Sequence, residues 1–191
     1  MDGFMNLNGY SFRWLKAGDL ELLPAFAEEY LASGDALHVP YDEIERQLWE
    51  LKDWNPDEPS SYFYGGFDKD GALVSVCSAG GAEELDGMFD GMPPVKDNIL
   101  LSDVYVLPRC RRQGVGTCML ETLFDRLTAE RSKAGRLGDS GNIYLSAFDE
   151  AAEEFYKSLG FIMLDDLSGI MAAPLNADLR YEQYEQTQRG I

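Results

Sequence analysis

One segment near the middle of the chain constrains the fold more than any other. An apolar strand over residues 104–107 ends at Pro108, and a basic loop follows and runs into an amphipathic stretch that starts at Cys118. The first backbone N–H groups of a helix have no internal partner and lie at the positive end of its dipole. Gly114 and Gly116 remove side chains, so a ligand can approach the backbone closely. With three arginines in four positions, the segment predicts a site for a pyrophosphate.

The glycine spacing narrows the class of ligand. A P-loop requires Gly-Lys-Ser/Thr at its end, whereas this loop ends Gly114-Val115-Gly116-Thr117. A dinucleotide-binding fold requires a third glycine in a βαβ unit near the N-terminus, and the loop meets neither condition. What remains is Arg111-x-x-Gly114-x-Gly116. Alone, this pattern also fits an ordinary strand-to-helix junction of an α/β protein, and both interpretations stay open at this point.

A second motif follows at a suitable distance. Residues 142–148 are typical of a short buried strand, and residues 149–161 read Asp-Glu-Ala-Ala-Glu-Glu-Phe-Tyr-Lys-Ser-Leu-Gly-Phe. Together the two motifs resemble the GNAT superfamily of acyl-CoA-dependent N-acyltransferases. That family carries Arg/Gln-x-x-Gly-x-Gly/Ala and then Asn-x-x-Ala-x-x-apolar-Tyr-x-x-x-Gly-Phe. The leading Asn is replaced here by Asp149, and the matching residues are Ala152, Phe155, Tyr156, Gly160 and Phe161. The resemblance is sharpest over residues 98–164 and extends over residues 10–175.

The resemblance implies an α/β fold, a twisted mixed sheet flanked by helices in the order βααβββαβαββ. We predict a strand at 10–15, a helix over 19–31 capped by Asp19, and a helix over 40–51. Strands follow at 61–67, 72–79 and 99–106, the first two joined by a hairpin turn at residues 68–71. The later elements are a helix from 118, a strand at 142–148, a helix, and a closing hairpin at 161–165 and 169–173. One domain over 1–175 and a polar tail over 176–191 account for the chain.

Composition excludes several classes of protein. No run of about 18 apolar residues exists, so we predict no membrane span and no membrane partner. The N-terminus lacks the basic and apolar regions of a signal peptide. The cysteines Cys77, Cys110 and Cys118 are odd in number and lack metal-ligand spacing. We therefore expect reduced thiols in the cytoplasm, and no metal.

The charge is unevenly distributed. The chain carries a net charge of −18, of which residues 1–97 hold −14, whereas residues 109–136 carry +4. A positive island within an acidic chain fits a polyanionic coenzyme, while the acidity elsewhere disfavours nucleic acid as a partner. Acidic surfaces would favour a cationic acceptor through electrostatic steering. The same acidity also fits solubility or a salt-adapted host.

The resemblance implies acetyl transfer from acetyl-CoA, used as the acyl donor, to an amine. The pantetheine arm would lie along the main chain of Val104, Tyr105 and Val106, which could hold it and polarise the thioester carbonyl. The backbone N–H groups of the loop would bind the diphosphate. Tyr156 would protonate the leaving thiolate. Asp149 stands where the family has Asn near the coenzyme, although it also fits a helix cap. The loop residues concerned are Arg111, Arg112, Gln113, Gly114, Val115, Gly116 and Thr117.

The general base and the acceptor are less constrained. Asp103 is the first candidate base, since it lies on the strand that enters the loop, and strand alternation places it on the face of Leu101 and Tyr105. Glu83, Glu84 and Asp86 are alternatives, and His38 fits a structural role better. Aromatic and acidic residues over 26–54 and 80–97 suit an amine with an apolar body, but also fit a core or a homodimer contact. A longer acyl-CoA, or a non-catalytic module that binds coenzyme A, are the alternatives to acetyl transfer.

Overall fold

The computed structural model describes residues 6–7, 9–32, 61–81, 98–133, 141–165 and 169–182. They belong to two compact units, one built from residues within 1–78 and 103–122 and the other from residues within 79–102 and 123–191. The helix predicted over 40–51, His38 and the loop carboxylates Glu83, Glu84 and Asp86 lie outside the described residues.

The first unit contains the N-terminal strands and the glycine loop. Its strands follow the order β1-β2-β3-β4-β5. The elements β4, β5 and α2 each have residues in both units. β2 pairs antiparallel with both β1 and β3. The elements are β1 (Asn6–Leu7), β2 (Tyr10–Trp14), α1 (Leu23–Ala32), β3 (Ser61–Phe67), β4 (Leu73–Gly81), β5 (Ile99–Val106) and α2 (Val115–Lys133), with 3-10 turns at Ala17–Leu22 and Pro108–Cys110.

The start of α1 differs from the sequence prediction. Asp19 lies inside the turn Ala17–Leu22 and does not cap α1, so that prediction was wrong. Its carboxylate accepts hydrogen bonds from Arg13 Nη2 at 2.7 Å and from the Lys16 N–H at 2.8 Å. The hydrogen bond from Arg13 is the main reason that the pKa of Asp19 lies below its ordinary value. Pro24 falls in the first turn of α1, where its missing N–H has no helical partner to lose.

The core of the first unit packs directly on the backbone of β3. A Cβ on Gly65 would overlap the Leu15 side chain and lie 2.9 Å from Leu73 Cδ1. A Cβ on Gly66 would lie 2.8 Å from Phe12 Cε1. The two glycines therefore make room for the side chains that close this core. Other buried members are Leu23, Phe26, Phe63, Tyr64, Phe67, Val74, Val76, Leu107, Met119 and Leu120.

The second unit is built on β6 (Asn142–Ser146), α3 (Glu150–Ser158), β7 (Ile162–Asp165) and β8 (Ile170–Pro174). Its strand order is β5-β6-β8-β7, with β5 parallel to β6 and the remaining neighbours antiparallel. The described ladder between β5 and β6 consists of Ile99–Ile143 and Leu100–Tyr144. Buried side chains of this unit include Leu123, Phe124, Phe161 and Met171.

The described part of the predicted C-terminal tail is helical over residues 177–182. Arg180 is only 8% exposed, donates from Nη1 to the Pro174 carbonyl at 3.1 Å and to the Leu175 carbonyl, and lies over the Phe124 ring. These contacts join residues 177–182 to the second unit. The domain boundary at residue 175 stays a prediction.

The described elements follow the predicted order, with one short strand, β1, that the sequence analysis did not anticipate. The predicted hairpin turn forms between β3 and β4, where the Gly71 N–H donates to the Asp68 carbonyl at 3.0 Å. No helix within the described ranges is both long and apolar enough to cross a membrane.

Candidate active site

The glycine loop forms a compact entry to α2. The Cys110 N–H donates to the Leu107 carbonyl at 2.8 Å, and the Arg111 N–H donates to the Pro108 carbonyl at 3.2 Å. The first bond of α2 runs from the Cys118 N–H to the Gly114 carbonyl at 2.9 Å, so the N–H groups of residues 115–117 precede it. These groups lie at the positive end of a helix of 19 residues.

Gly114 is the residue that opens this site to a ligand. Its φ is +79°, a conformation that residues with a Cβ rarely adopt, and a Cβ placed there would meet nothing within 4 Å. The space in front of the backbone is therefore open at Gly114. Arg112 also has a positive φ, of +59°, so the chain turns sharply just before the helix begins. The geometry is that of an anion cradle at a helix N-terminus.

The three loop arginines have different surroundings. Arg109 Nε donates to Glu29 Oε1 at 2.7 Å, and Arg109 Nη1 lies 3.7 Å from Asp68 Oδ2. The hydrogen bond to Glu29 is the first cause of a raised pKa at Arg109. Arg111 Nε donates to the Val106 carbonyl at 2.9 Å, with its guanidinium 5.7 Å from the centre of the Tyr30 ring.

Arg112 is exposed and, within the described part of the chain, has no acidic partner. Arg112 therefore offers an anion positive charge with no described acidic partner, beside the backbone amides and the Arg111 guanidinium, whose carbonyl contact does not neutralise it.

The Gln113 side chain is held on both sides. Its Nε2 donates to the Arg109 carbonyl at 2.6 Å, and its Oε1 accepts a hydrogen bond from the Tyr10 hydroxyl at 3.1 Å. Gln113 is predicted to bind the coenzyme through its backbone N–H, and these side-chain contacts do not use that group. Val115 is buried, and Gly116 and Thr117 are half-buried in the first turn of α2.

The end of β5 carries the residues predicted to line the pantetheine arm. Val104, Tyr105 and Val106 are half-buried. The Tyr105 ring stands edge-on to Tyr30 of α1, with ring centres 4.9 Å apart. One of the main-chain groups named for the coenzyme, the Val106 carbonyl, already accepts from Arg111.

Asp103 lies in β5 with a φ of +54°. The left-handed region is tolerated better by Asp and Asn than by most residues. Because Asp103 is not extended, the alternation of faces predicted on either side of it does not carry across this position. Its Oδ2 accepts a hydrogen bond of 2.8 Å from the Oγ of Ser78, whose side chain is buried. Burial and, secondarily, the charge of Asp103 raise the pKa of the Cys77 thiol, so that thiol stays protonated.

Tyr156 and Asp149 lie in the second unit, on and before α3. Tyr156 is 7% exposed, with its ring centre 5.7 Å from that of Phe161 and 5.2 Å from that of Phe155. Asp149 caps α3, because its Oδ1 accepts from the Ala152 N–H at 2.7 Å. The capping role weighed for Asp149 in the sequence analysis is therefore observed.

The motif around Tyr156 has a clear local cause. The Gly160 N–H donates to the Lys157 carbonyl at 3.0 Å, and the Phe161 N–H donates to the Tyr156 carbonyl at 3.1 Å. This pattern, with Gly160 at a φ of +88°, is a Schellman motif that ends α3. Phe161 then packs against Tyr156 and Phe124. The Tyr-x-x-x-Gly-Phe spacing thus fixes the backbone and the ring of Tyr156 together.

Two contacts of the site were missed by sequence reasoning. Tyr10 contacts Gln113, which lies 103 positions later in the sequence, and Ser78 contacts Asp103, which lies 25 positions later. Neither Tyr10 nor Ser78 belongs to a motif, so these two contacts can be recognised only once the strands are in place.

A family model described as an acetyltransferase (GNAT) domain matches residues 67–163, just over half of the chain. The chain belongs to the GNAT acetyltransferases. The resemblance stated from the two motifs is confirmed, and the glycine loop and Tyr156 both fall inside the matched range. No curated protein matches this GNAT chain by sequence.

Solved GNAT structures share the fold at low sequence identity. An acetyltransferase of the GNAT family from Staphylococcus aureus Mu50 is 13% identical, with a TM-score of 0.59 over 87% of this chain and 99% of that chain. The PaiA N-acetyltransferase from Thermoplasma acidophilum, solved in complex with coenzyme A, is 18% identical, with a TM-score of 0.60 over 86% of this chain and 98% of that chain.

A third similar structure is a mutant of the toxin AtaT bound to the C-terminus of the antitoxin AtaR and acetyl-CoA. It is 14% identical, with a TM-score of 0.55 over 95% of this chain and 99% of that chain. At such identities the likeness shows the fold, and the predicted α/β class is confirmed.

The described residues contain no group of three or more His, Cys, Asp or Glu side chains that could hold a metal ion.

Proposed function

We propose that the chain is an N-acetyltransferase that transfers the acetyl group of acetyl-CoA to a primary amine of a small molecule or peptide. The observation that carries the proposal is the open backbone at Gly114, directly before the N–H groups that begin α2. Membership of the GNAT acetyltransferases supports acyl transfer. The coenzyme A and acetyl-CoA complexes of the similar structures support the choice of donor.

In this proposal the diphosphate of acetyl-CoA binds the N–H groups of residues 112–117. The Arg111 N–H already donates to the Pro108 carbonyl, so its contribution comes second. Arg111 and Arg112 supply positive charge, since Arg109 is paired with Glu29. The pantetheine arm lies along Val104, Tyr105 and Val106, where Arg111 fixes the Val106 carbonyl and with it the end of β5.

The chemical step is direct attack of the neutral amine nitrogen on the thioester carbonyl carbon. A carbon–nitrogen bond forms, the carbon–sulfur bond breaks, and the electron pair of that bond leaves with the coenzyme A sulfur. The Asp103 carboxylate takes a proton from the acceptor ammonium to give the neutral amine, and the Tyr156 hydroxyl gives a proton to the thiolate. The nitrogen, positively charged after the attack, loses one further proton to water, and water returns a proton to the Tyr156 phenolate, so the products are the amide and the coenzyme A thiol. The Ser78 hydroxyl supports Asp103 in this role, because it holds the carboxylate in one orientation.

The acceptor in this proposal is cationic. Residues 1–97 carry a net charge of −14, and negative surfaces raise the local concentration and the capture rate of cations. Tyr30 and Tyr105, edge-on to each other in the first unit, are half-buried aromatic side chains of the kind that suits an amine with an apolar body. We further propose that the enzyme works without a metal in the cytoplasm, as a monomer or a homodimer.

The test is a thiol-release assay with acetyl-CoA across a panel of amines that includes polyamines, basic peptides and neutral amines. Release that depends on both acetyl-CoA and a cationic amine is the expected result. Faster release from longer acyl-CoA donors would replace acetyl transfer with long-chain acyl transfer. Tight binding of coenzyme A without release from any donor and amine would contradict an enzyme and favour a coenzyme A-binding module.

A further inference from the structure

The loop that we assign to the diphosphate is connected to the N-terminal strand β2 by a chain of polar contacts. Tyr10, the first residue of β2, donates its hydroxyl to Gln113 Oε1 at 3.1 Å. Gln113 Nε2 in turn donates to the main-chain carbonyl of Arg109 at 2.6 Å. The Gln113 side chain thus links the backbone just before Gly114 to β2 and to the turn that contains Arg109.

The direction of these hydrogen bonds is fixed by chemistry. A main-chain carbonyl only accepts, so the amide nitrogen of Gln113 has to face Arg109. The amide oxygen then faces Tyr10, and the Tyr10 hydroxyl has to donate. The reversed amide would place two oxygens against each other at the Arg109 carbonyl. A phenol ring without its hydroxyl cannot replace this contact.

The far end of the chain of contacts is itself anchored. The Arg109 side chain donates to Glu29 of α1 at 2.7 Å and lies 3.7 Å from Asp68 of the β3–β4 turn. The carbonyl that receives Gln113 therefore belongs to a residue held from two other elements. In contrast, the next residue after Gln113 is Gly114, which has the greatest backbone freedom of any residue type.

We propose that Tyr10 is a positioning residue for the coenzyme loop and acts through the side chain of Gln113. By holding Gln113, it orders the backbone on the N-terminal side of Gly114 before the ligand arrives, so less conformational entropy is lost on binding. This inference rests on the proposed function, because it takes the loop as the diphosphate site. It assigns a role in coenzyme affinity to a residue outside both sequence motifs.

The first experiment compares Tyr10→Phe with the wild-type protein. The substitution keeps the ring and removes the hydroxyl, and with it the donor to Gln113. We expect the Kd for coenzyme A and the KM for acetyl-CoA to rise about 2- to 12-fold, the range that corresponds to the net worth of one hydrogen bond. The kcat at saturating acetyl-CoA stays unchanged, since Tyr10 does not take part in the chemical step.

Tyr64→Phe is the matched control. Tyr64 donates its hydroxyl to Thr122 Oγ1 at 3.3 Å within the same unit, in α2 and outside residues 109–117, so the substitution removes the same group from a structural contact. We expect Tyr64→Phe to lower the melting temperature and leave the Kd for coenzyme A unchanged. An equal rise of Kd in both variants would mean that general loss of stability explains the effect, and would overturn the proposal.

A double-mutant cycle with Gln113→Leu identifies the route of the effect. If Tyr10 acts through Gln113, Tyr10→Phe adds no further loss of affinity once Gln113 is Leu. If the two losses multiply, Tyr10 acts by another route and the proposal is wrong. Gln113→Leu alone also removes the acceptor of Tyr10, so where Tyr10→Phe folds poorly a rise of Kd in Gln113→Leu supports the proposal and an unchanged Kd overturns it.

Calorimetric titration with coenzyme A distinguishes a failure of the proposed function from a failure of the role proposed for Tyr10. No binding to the wild-type protein overturns the proposed function and this inference together. Binding to the wild-type protein with an unchanged Kd in Tyr10→Phe overturns this inference alone.

Discussion

Gly114→Asp is the substitution that tests the coenzyme site most directly. It places a side chain and a negative charge at the open backbone in front of α2, where the diphosphate is proposed to bind. It also forces a residue with a Cβ into a φ of +79°. A loss of binding could therefore come from the site or from backbone strain, and a control has to separate them.

Gly71 provides that control. It has a φ of +81°, and a Cβ placed there also meets nothing within 4 Å, so Gly71→Asp and Gly114→Asp carry the same kind of backbone strain. A left-handed conformation costs a residue with a Cβ about 1–2 kcal/mol. Each variant should lose a similar amount of stability without ligand. Only Gly114 lies in the proposed coenzyme loop, whereas Gly71 lies in the turn between β3 and β4.

The size of the expected signal follows from mass action. A ligand at 100 times its Kd stabilises the folded state by about 2.7 kcal/mol. For a domain of this length, about 1 kcal/mol corresponds to roughly 2–4 °C in melting temperature. Acetyl-CoA should therefore raise the melting temperature of the wild-type protein by about 5–11 °C.

The assay is a thermal melt with and without acetyl-CoA for the wild-type protein and both variants. Gly71→Asp should keep the full ligand-induced increase, while Gly114→Asp should lose it. An increase that is unaltered in folded Gly114→Asp would place acetyl-CoA elsewhere on the chain. Loss of the increase in both variants would attribute the effect to strain.

Three further predictions concern the chemical step and the acceptor. Tyr156→Phe keeps the ring that packs on Phe161 and removes the hydroxyl proton. The kcat should fall about 10²-fold while coenzyme binding stays nearly unchanged. Full turnover would show that Tyr156 has a purely structural role. In Asp103→Asn the new residue suits the left-handed φ and can still accept a hydrogen bond from Ser78. A shifted pH–rate profile would therefore report loss of the base. A profile identical to wild type would mean that water or another carboxylate is the base. At saturating acetyl-CoA, kcat/KM for a cationic acceptor should fall as the salt concentration rises from about 0.02 to 0.5 M. For a neutral analogue kcat/KM should change little. A kcat/KM for the cationic acceptor that stays constant or rises with salt would contradict steering by the acidic residues.

The sequence predicted the fold where local patterns and turn chemistry agree. The strand over 99–106 and the turn closed by Gly71 have the predicted positions, because alternation and glycine placement determine them locally. The start of α1 was placed too early, since Asp19 has the side chain of a helix cap but pairs instead with Arg13 of β2. A contact between a strand and a turn outweighs the local preference of one side chain, and no pattern within 17–23 reveals it.

In the candidate site, too, local patterns predict some features, and contacts between distant elements determine the others. The two motifs identify the residues of the loop and of α3, because glycines at positive φ and a helix N-terminus leave a spacing that can be read in the sequence. The contacts that hold these residues come from distant strands. Ser78 on β4 fixes Asp103, and Tyr10 on β2 fixes Gln113. The positive φ of Asp103 also has no signal in an otherwise ordinary strand pattern.

The charges of the loop illustrate why a sequence count of charge differs from the charge that a ligand meets. Arg109 is paired with Glu29 and lies near Asp68, so part of the +4 over residues 109–136 is offset by acids from the N-terminal part of the chain. Those two acids are in turn less available to steer a cationic acceptor. Arg111 keeps its charge while its Nε donates to a main-chain carbonyl, so in our proposal Arg111, Arg112 and the backbone amides of α2 share the diphosphate. Because the amides are fixed dipoles on a helix, the affinity for coenzyme A should depend on loop geometry more than on the number of arginines.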